Sequence, residues 1–106
     1  MPTVLPVRGH VPQIPESCFL APTATVVGEV TMGESCSIWF NAVVRGDVHH
    51  IHMGDRVNVQ DNAVVHCTYQ KFPTHIGHDV SIGHNAIVHG CTLHDRVLVG
   101  MGAIVM

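Results

Sequence analysis

The stretch Ile76-Gly77-His78-Asp79-Val80-Ser81-Ile82-Gly83-His84-Asn85-Ala86-Ile87-Val88 decides the fold. Large apolar residues stand six apart at Ile76, Ile82 and Val88, glycine follows the first two, and Val80 and Ala86 come four positions after each. Working outward, the same six-residue step links Leu20, Val26, Met32, Ile38 and Val44, then Met53, Val59 and Val65, and finally Leu93, Val99 and Val105. The second set, four residues on and usually small, continues through Ala24, Val30, Cys36, Ala42, Val57, Ala63, Thr92, Val97 and Ala103. Glycine also follows the first apolar residue at Gly33, Gly54 and Gly100. An amphipathic helix would repeat every three or four residues, and Gly, Val, Ile and Thr are poor helix formers. A sustained six-residue period instead marks a solenoid, here a parallel β-helix.

The physics of the repeat is simple. A strand alternates its side chains, so one large apolar residue points inward while a bend two or three residues later turns the chain onto the next face. Small residues fit the narrow corners. Three hexads close one triangular coil, and coils stack at roughly 4.8 Å, with backbone groups bonded to the coils above and below. The expected fold is therefore all-β, a left-handed parallel β-helix. The left hand comes from the resemblance to hexapeptide-repeat proteins and opposes the general right-handed preference of parallel crossovers.

With 106 residues, 46% of them hydrophobic, and a formal charge of −3, the chain suits one soluble domain. Five Lys and Arg give no basic stripe for nucleic acid. No apolar run approaches the roughly 20 residues that span a bilayer, and the start of the sequence does not read as a signal peptide, so a cytoplasmic location is expected. The cysteines Cys18, Cys36, Cys67 and Cys91 lack paired spacing and are read as reduced thiols, with Cys36 on the inward rhythm. Residues 1–19 carry Pro2, Pro6, Pro12 and Pro15 and read as an extended lead-in; residues 20–106 read as the β-helix. The register breaks between Val44 and Met53 and between Val65 and Ile76, where loops are expected at corners, and falls one residue short between Val88 and Leu93.

Three histidines stand out within this register. His66 follows inward Val65 and His89 follows inward Val88, so once the inserted loop is removed they should stack on one face, close enough to converge on a metal with bonds of about 2.0–2.1 Å. His84 follows Ile82 by two and belongs to the preceding face, up to roughly 17 Å from His89 along an extended chain. A neighbouring subunit in a threefold ring would supply it most easily. Three neutral imidazoles with an open fourth position make a catalytic arrangement more than a structural one. His10, His49, His50, His52, His75, His78 and His94 are read as ordinary surface groups.

The run Ser37-Ile38-Trp39-Phe40-Asn41-Ala42-Val43-Val44-Arg45-Gly46-Asp47, then Asn58-Val59-Gln60-Asp61, then His66, then Gly83-His84-Asn85-Ala86-Ile87-Val88-His89-Gly90-Cys91 resembles the gamma-class carbonic anhydrase family. The resemblance implies a homotrimer with a metal at each interface, His66 and His89 from one chain and His84 from the next. It implies Zn2+, with Fe2+ or Co2+ also suited to imidazole ligands, and reversible hydration of carbon dioxide to bicarbonate by hydroxide generated on the metal. Arg45, Asp47 and Asp61 match an interface ion-pair network, and Gln60 matches the residue that orients the metal's solvent; Asn58 is a weaker match. Tyr69 stands where a shuttle glutamate is expected and Val48 where another acid is expected, and a phenol accepts protons poorly near neutral pH. Family members usually continue for more coil faces and a C-terminal helix beyond the position of Met106. Two other readings fit a hexapeptide-repeat chain: an acyl-transfer or thioester-hydrolysing enzyme, for which no basic phosphate-holding cluster is evident, and a noncatalytic subunit whose metal staples an assembly.

Overall fold

The computed structural model describes residues 1–106 and contains strands without a helix. Thirteen strands follow in order: β1 (Thr3–Leu5), β2 (Phe19–Leu20), β3 (Thr25–Thr31), β4 (Ser37–Ile38), β5 (Val43–Met53), β6 (Asn58–Val59) and β7 (Val64–His66), then β8 (Thr74–Ile76), β9 (Ser81–Ile82), β10 (Ile87–His89), β11 (Thr92–Leu93), β12 (Leu98–Val99) and β13 (Ile104–Val105). Every pairing between them is parallel, and the chain forms a β-solenoid with three faces. One face is the ladder β2-β4-β6-β9-β12. A second stacks β1, the first half of β3, the first half of β5, β7, β10 and β13. The third stacks the second halves of β3 and β5 with β8 and β11. The two long strands, β3 and β5, each turn a corner and serve two faces.

The inward set is the one the period predicts. Val26, Met32, Ile38, Val44, Met53, Val59, Val65, Ile76, Ile82, Val88, Leu93 and Val99 are all buried, with Ala24, Val30, Cys36, Ala42, Val57, Ala63, Val80 and Ala86 at the corners between them. Burying such side chains contributes roughly 1.5–3 kcal/mol each for the larger ones. Thr92 departs from the expectation. It is exposed, and Cys91 instead packs against the core, because the coil is one residue short between Val88 and Leu93 and the register there moves back by one.

Corner geometry shows a feature the period alone does not. Ser35, Asn41, Arg56, Asn62, Asp79, Asn85 and Arg96 all have positive φ, between 56° and 64°, and each directly precedes an inward small or medium residue. The left-handed conformation is costly for residues with a side chain, and least so among them for Asn and Asp. The backbone bonds from one corner to the next, as in Asn62 N–H to the Phe40 carbonyl at 3.0 Å and Asn85 N–H to the Asp61 carbonyl at 3.0 Å, offset that cost.

The two register breaks have different structures. Between Val65 and Ile76 the expected loop is present: Thr68 and Phe72 bridge antiparallel around a turn that includes Gln70 at φ 55°. Between Val44 and Met53 there is no loop. The inserted residues are absorbed into continuous β5, which shifts register against β3 between Gly28 and Val30 and keeps Ile51 fully buried. Glycine is required at that corner. Gly28 has φ +82°, and a Cβ on it would run into the Gly46 carbonyl.

Candidate metal centre

The first half of the site lies on the second face. His66 and His89 are register partners on β7 and β10, and their ring centroids lie 5.3 Å apart at 70°. Their strands are tied through Thr74, a buried polar residue. Its hydroxyl donates to the His66 carbonyl at 2.6 Å and accepts from Gly90 N–H at 2.9 Å. His66 Nε2 lies 2.7 Å from Asp47 Oδ1 in the coil before, and Arg45 on the same strand reaches Asp47 Oδ2 at 3.2 Å. Burial works against ionised Asp47, but the His66 hydrogen bond and the Arg45 and His66 charges outweigh it and hold its carboxyl below the usual range. His89 Nδ1 is buried and has no hydrogen-bond partner, an uncommon condition for a buried polar atom.

The second half lies along the first face and its corner. Ser37, Trp39, Asn58, Gln60, Asp61 and His84 line one open groove. Gln60 Nε2 donates to Asn58 Oδ1 at 2.9 Å, and Asn58 in turn donates to Ser81 Oγ at 2.9 Å. His84 Nδ1 lies 3.3 Å from Asp61 Oδ1. The corner carrying His84 is held to the following coil by Gly83 N–H to the Val99 carbonyl and Gly102 N–H to the His84 carbonyl, both at 2.9 Å, and to the preceding coil by Asn85 N–H to the Asp61 carbonyl at 3.0 Å. Beside the groove, Phe19, Trp39 and Phe40 form an exposed aromatic row, with centroids 5.0 Å and 6.3 Å apart.

A single chain therefore stacks His66 with His89 but does not bring His84 to them. The expected ion-pair network is likewise divided: Arg45 pairs with Asp47 on one face, and Asp61 accompanies His84 on another. Tyr69 stands exposed on the loop after β7. Cys67 is buried, with Sγ 3.2 Å from the His50 carbonyl, and its thiol is pushed up by burial, as befits a packing residue.

Sequence comparison gives this geometry its context. The chain is 41% identical over 109 residues to gamma carbonic anhydrase 2, mitochondrial, of Arabidopsis thaliana, covering 98% of this chain and 39% of that protein. It is 42% identical over 103 residues to a carbonic anhydrase of Geobacillus kaustophilus, with 97% and 56% covered. A Methanocaldococcus jannaschii protein named as a probable carbonic anhydrase is 50% identical over 92 residues, with 87% and 57% covered. The chain belongs to the gamma carbonic anhydrase family. As a gamma-carbonic-anhydrase-family chain it spans roughly two-fifths to three-fifths of the length of these relatives. No family model matches it. Among solved structures, a hexapeptide transferase family protein from Anaplasma phagocytophilum superposes with a TM-score of 0.63 at 29% identity, covering 96% of this chain and 74% of that one. A Bacillus cereus protein named after the acetyltransferases gives 0.70 at 32%, covering 98% and 74%.

A second histidine grouping lies apart from His66, His84 and His89. His50, His52 and His75, expected to be ordinary surface groups, converge on the third face with ligand nitrogens all within 4.8 Å of one another. Burial, then the neighbouring His52, His49 and His75, push His50 below the usual histidine range. The signal was present in the register: His52 precedes inward Met53 as His75 precedes inward Ile76, the same relation that stacks His66 on His89.

Proposed function

We propose that the chain forms a homotrimeric, metal-dependent carbonic anhydrase with one site at each subunit interface. The observation that carries this reading is the division of the site. His66 and His89 sit in register on one face while His84, Gln60 and Asp61 share a groove on another, so each chain presents two complementary halves. A cyclic trimer brings one half of each chain against the other half of the next.

The donor set fits a divalent metal. Metal-bound histidines commonly set their second ring nitrogen against a carboxylate, and His66 with Asp47 and His84 with Asp61 are both so placed. The buried, partnerless Nδ1 of His89 is a further unmet polar demand at the same place. Three imidazoles suit zinc, iron or cobalt. When bound, the metal supplies the Lewis acidity that makes water a nucleophile near neutral pH. Around it, Asp47 and Asp61 orient the imidazoles, Arg45 keeps Asp47 ionised, and Gln60, braced by Asn58, offers its amide to position water beside carbon dioxide. The proton released leaves through the open edge of the groove to solvent or buffer; exposed Tyr69 is a weak acceptor for it.

An acyl-transfer reading rests on likeness of fold, which many chemistries share. Stopped-flow carbon dioxide hydration by the metal-analysed protein, before and after chelation and metal return, tests the proposal. Hydration that follows metal content and disappears in His89→Ala supports it. A fully metallated trimer without hydration refutes the enzymatic reading and leaves the metal as an assembly staple.

A further inference from the structure

The third face carries neither half of the proposed interface site, yet it holds the tightest histidine grouping in the molecule. Its origin lies in β5. The strand continues without a loop through the insertion after Val44 and round the corner, so His50 and His52 flank buried Ile51 on the third face and both project outward from the same side of the ladder, as residues two apart on a strand must. The next coil places His75 directly beside His52 as its register partner. Two rings come from one strand and a third from its neighbour, and they form a triangle. Centroids of His50 and His52 lie 4.5 Å apart, His50 and His75 5.1 Å, and His52 and His75 5.3 Å. His49 fixes the start of this arrangement, its Nδ1 accepting the His50 backbone N–H at 2.9 Å.

The geometry points to a second metal site on this face, with His50, His52 and His75 as ligands to a divalent late first-row transition ion. All three ligand nitrogens lie within 4.8 Å of one another, and the Nε2 atoms of His50 and His75 are 3.0 Å apart. Without a metal, that separation is one shared hydrogen bond between two rings, with the third ring packed against both. With metal–nitrogen bonds of about 2.1 Å, two ligands at a right angle sit about 3.0 Å apart, whereas a tetrahedral angle would separate them by about 3.4 Å. Small side-chain rotations from this spacing give either angle, and three imidazoles suit late first-row ions, nickel, copper(II) or zinc. The remaining positions open to water, since His52 and His75 are both exposed.

The test is a nickel titration, followed by calorimetry, of the untagged full chain. It uses a His66→Ala/His89→Ala background, so that the result is independent of the interface site. The expected result is one nickel bound per chain. Removing a carboxylate or carbonyl that merely orients a ligand costs 10–100-fold in affinity, so His52→Ala or His75→Ala, each removing a ligand, should weaken binding by at least about 100-fold. Both residues are exposed, and an unchanged far-ultraviolet circular dichroism spectrum verifies that the coil persists. Copper(II) in the parent background should show the electron paramagnetic resonance pattern of several equivalent nitrogens, lost in His75→Ala. Nickel binding that is indifferent to both substitutions, or no binding tighter than that of an isolated surface histidine, overturns the assignment.

Discussion

Mixing two inactive variants gives a quantitative test of the divided site. A His84→Ala chain keeps the His66–His89 half, and a His89→Ala chain keeps the groove with His84, Gln60 and Asp61. Neither alone can complete a three-histidine site. In a cyclic trimer each interface needs a His84→Ala chain on one side and a His89→Ala chain on the other. Random assembly of equal amounts therefore completes about one quarter of the interfaces. Both variants should carry His75→Ala as well, so that the cluster on the third face does not bind metal. Chains are unfolded together, refolded with cobalt, freed of excess metal, and assayed for bound cobalt and for carbon dioxide hydration. Each parent should be near zero, and the mixture should reach about 25% of the His75→Ala control in both readouts. A mixture that stays at the level of its parents refutes interface sharing. So would a His84→Ala chain that retains full activity by itself.

Three further outcomes follow from particular contacts. Thr74→Val keeps the shape but removes the hydroxyl between the His66 carbonyl and the Gly90 amide, so stability in urea should fall by about 1–3 kcal/mol, with Thr74→Ser largely spared. Burial raises the Cys36 thiol to about 11, which favours the neutral form, so Cys36 should resist alkylation at pH 8 in the folded protein and react only as the pH nears that value or the chain unfolds; fast labelling found by peptide mapping would contradict this. The Arg56 hydrogen bond and charge hold the Asp79 carboxyl below its ordinary value. A group depressed on folding contributes stability above its unfolded pKa, near 3.9, and loses it as pH falls through the lower folded value, so Asp79→Asn should narrow the difference in melting temperature between pH 6 and pH 3. An unaltered difference would show that the pair is solvent-screened.

The coil was legible from the spacing of inward residues because burial on each face tolerates one kind of side chain at one kind of position. Ile76, Ile82 and Val88 are inward for the same reason that their sequence neighbours are not. The stacking of His66 on His89 was equally legible, since parallel register follows from counting residues around the coil. Less visible were the positive-φ corners, although Asn41, Asn62 and Asn85, each directly before a small inward alanine, carry that signal in the sequence. Thr92 turns outward and Cys91 inward because one missing residue shifts which side chain faces the core.

By itself, then, the sequence determined the solenoid, its inward residues and the shared face of two metal-ligand candidates, because each follows from a local alternation repeated at a fixed period. Only the tertiary structure decided how the insertions are accommodated. It kept β5 extended through the first, and that choice turned His50 and His52 to the same side and set them against His75. It also decided which carboxylate serves which imidazole, pairing Asp47 with His66 and Asp61 with His84 on separate faces. Both outcomes depend on distances between coils about 20 residues apart in sequence, which the period constrains in register but not in side-chain direction.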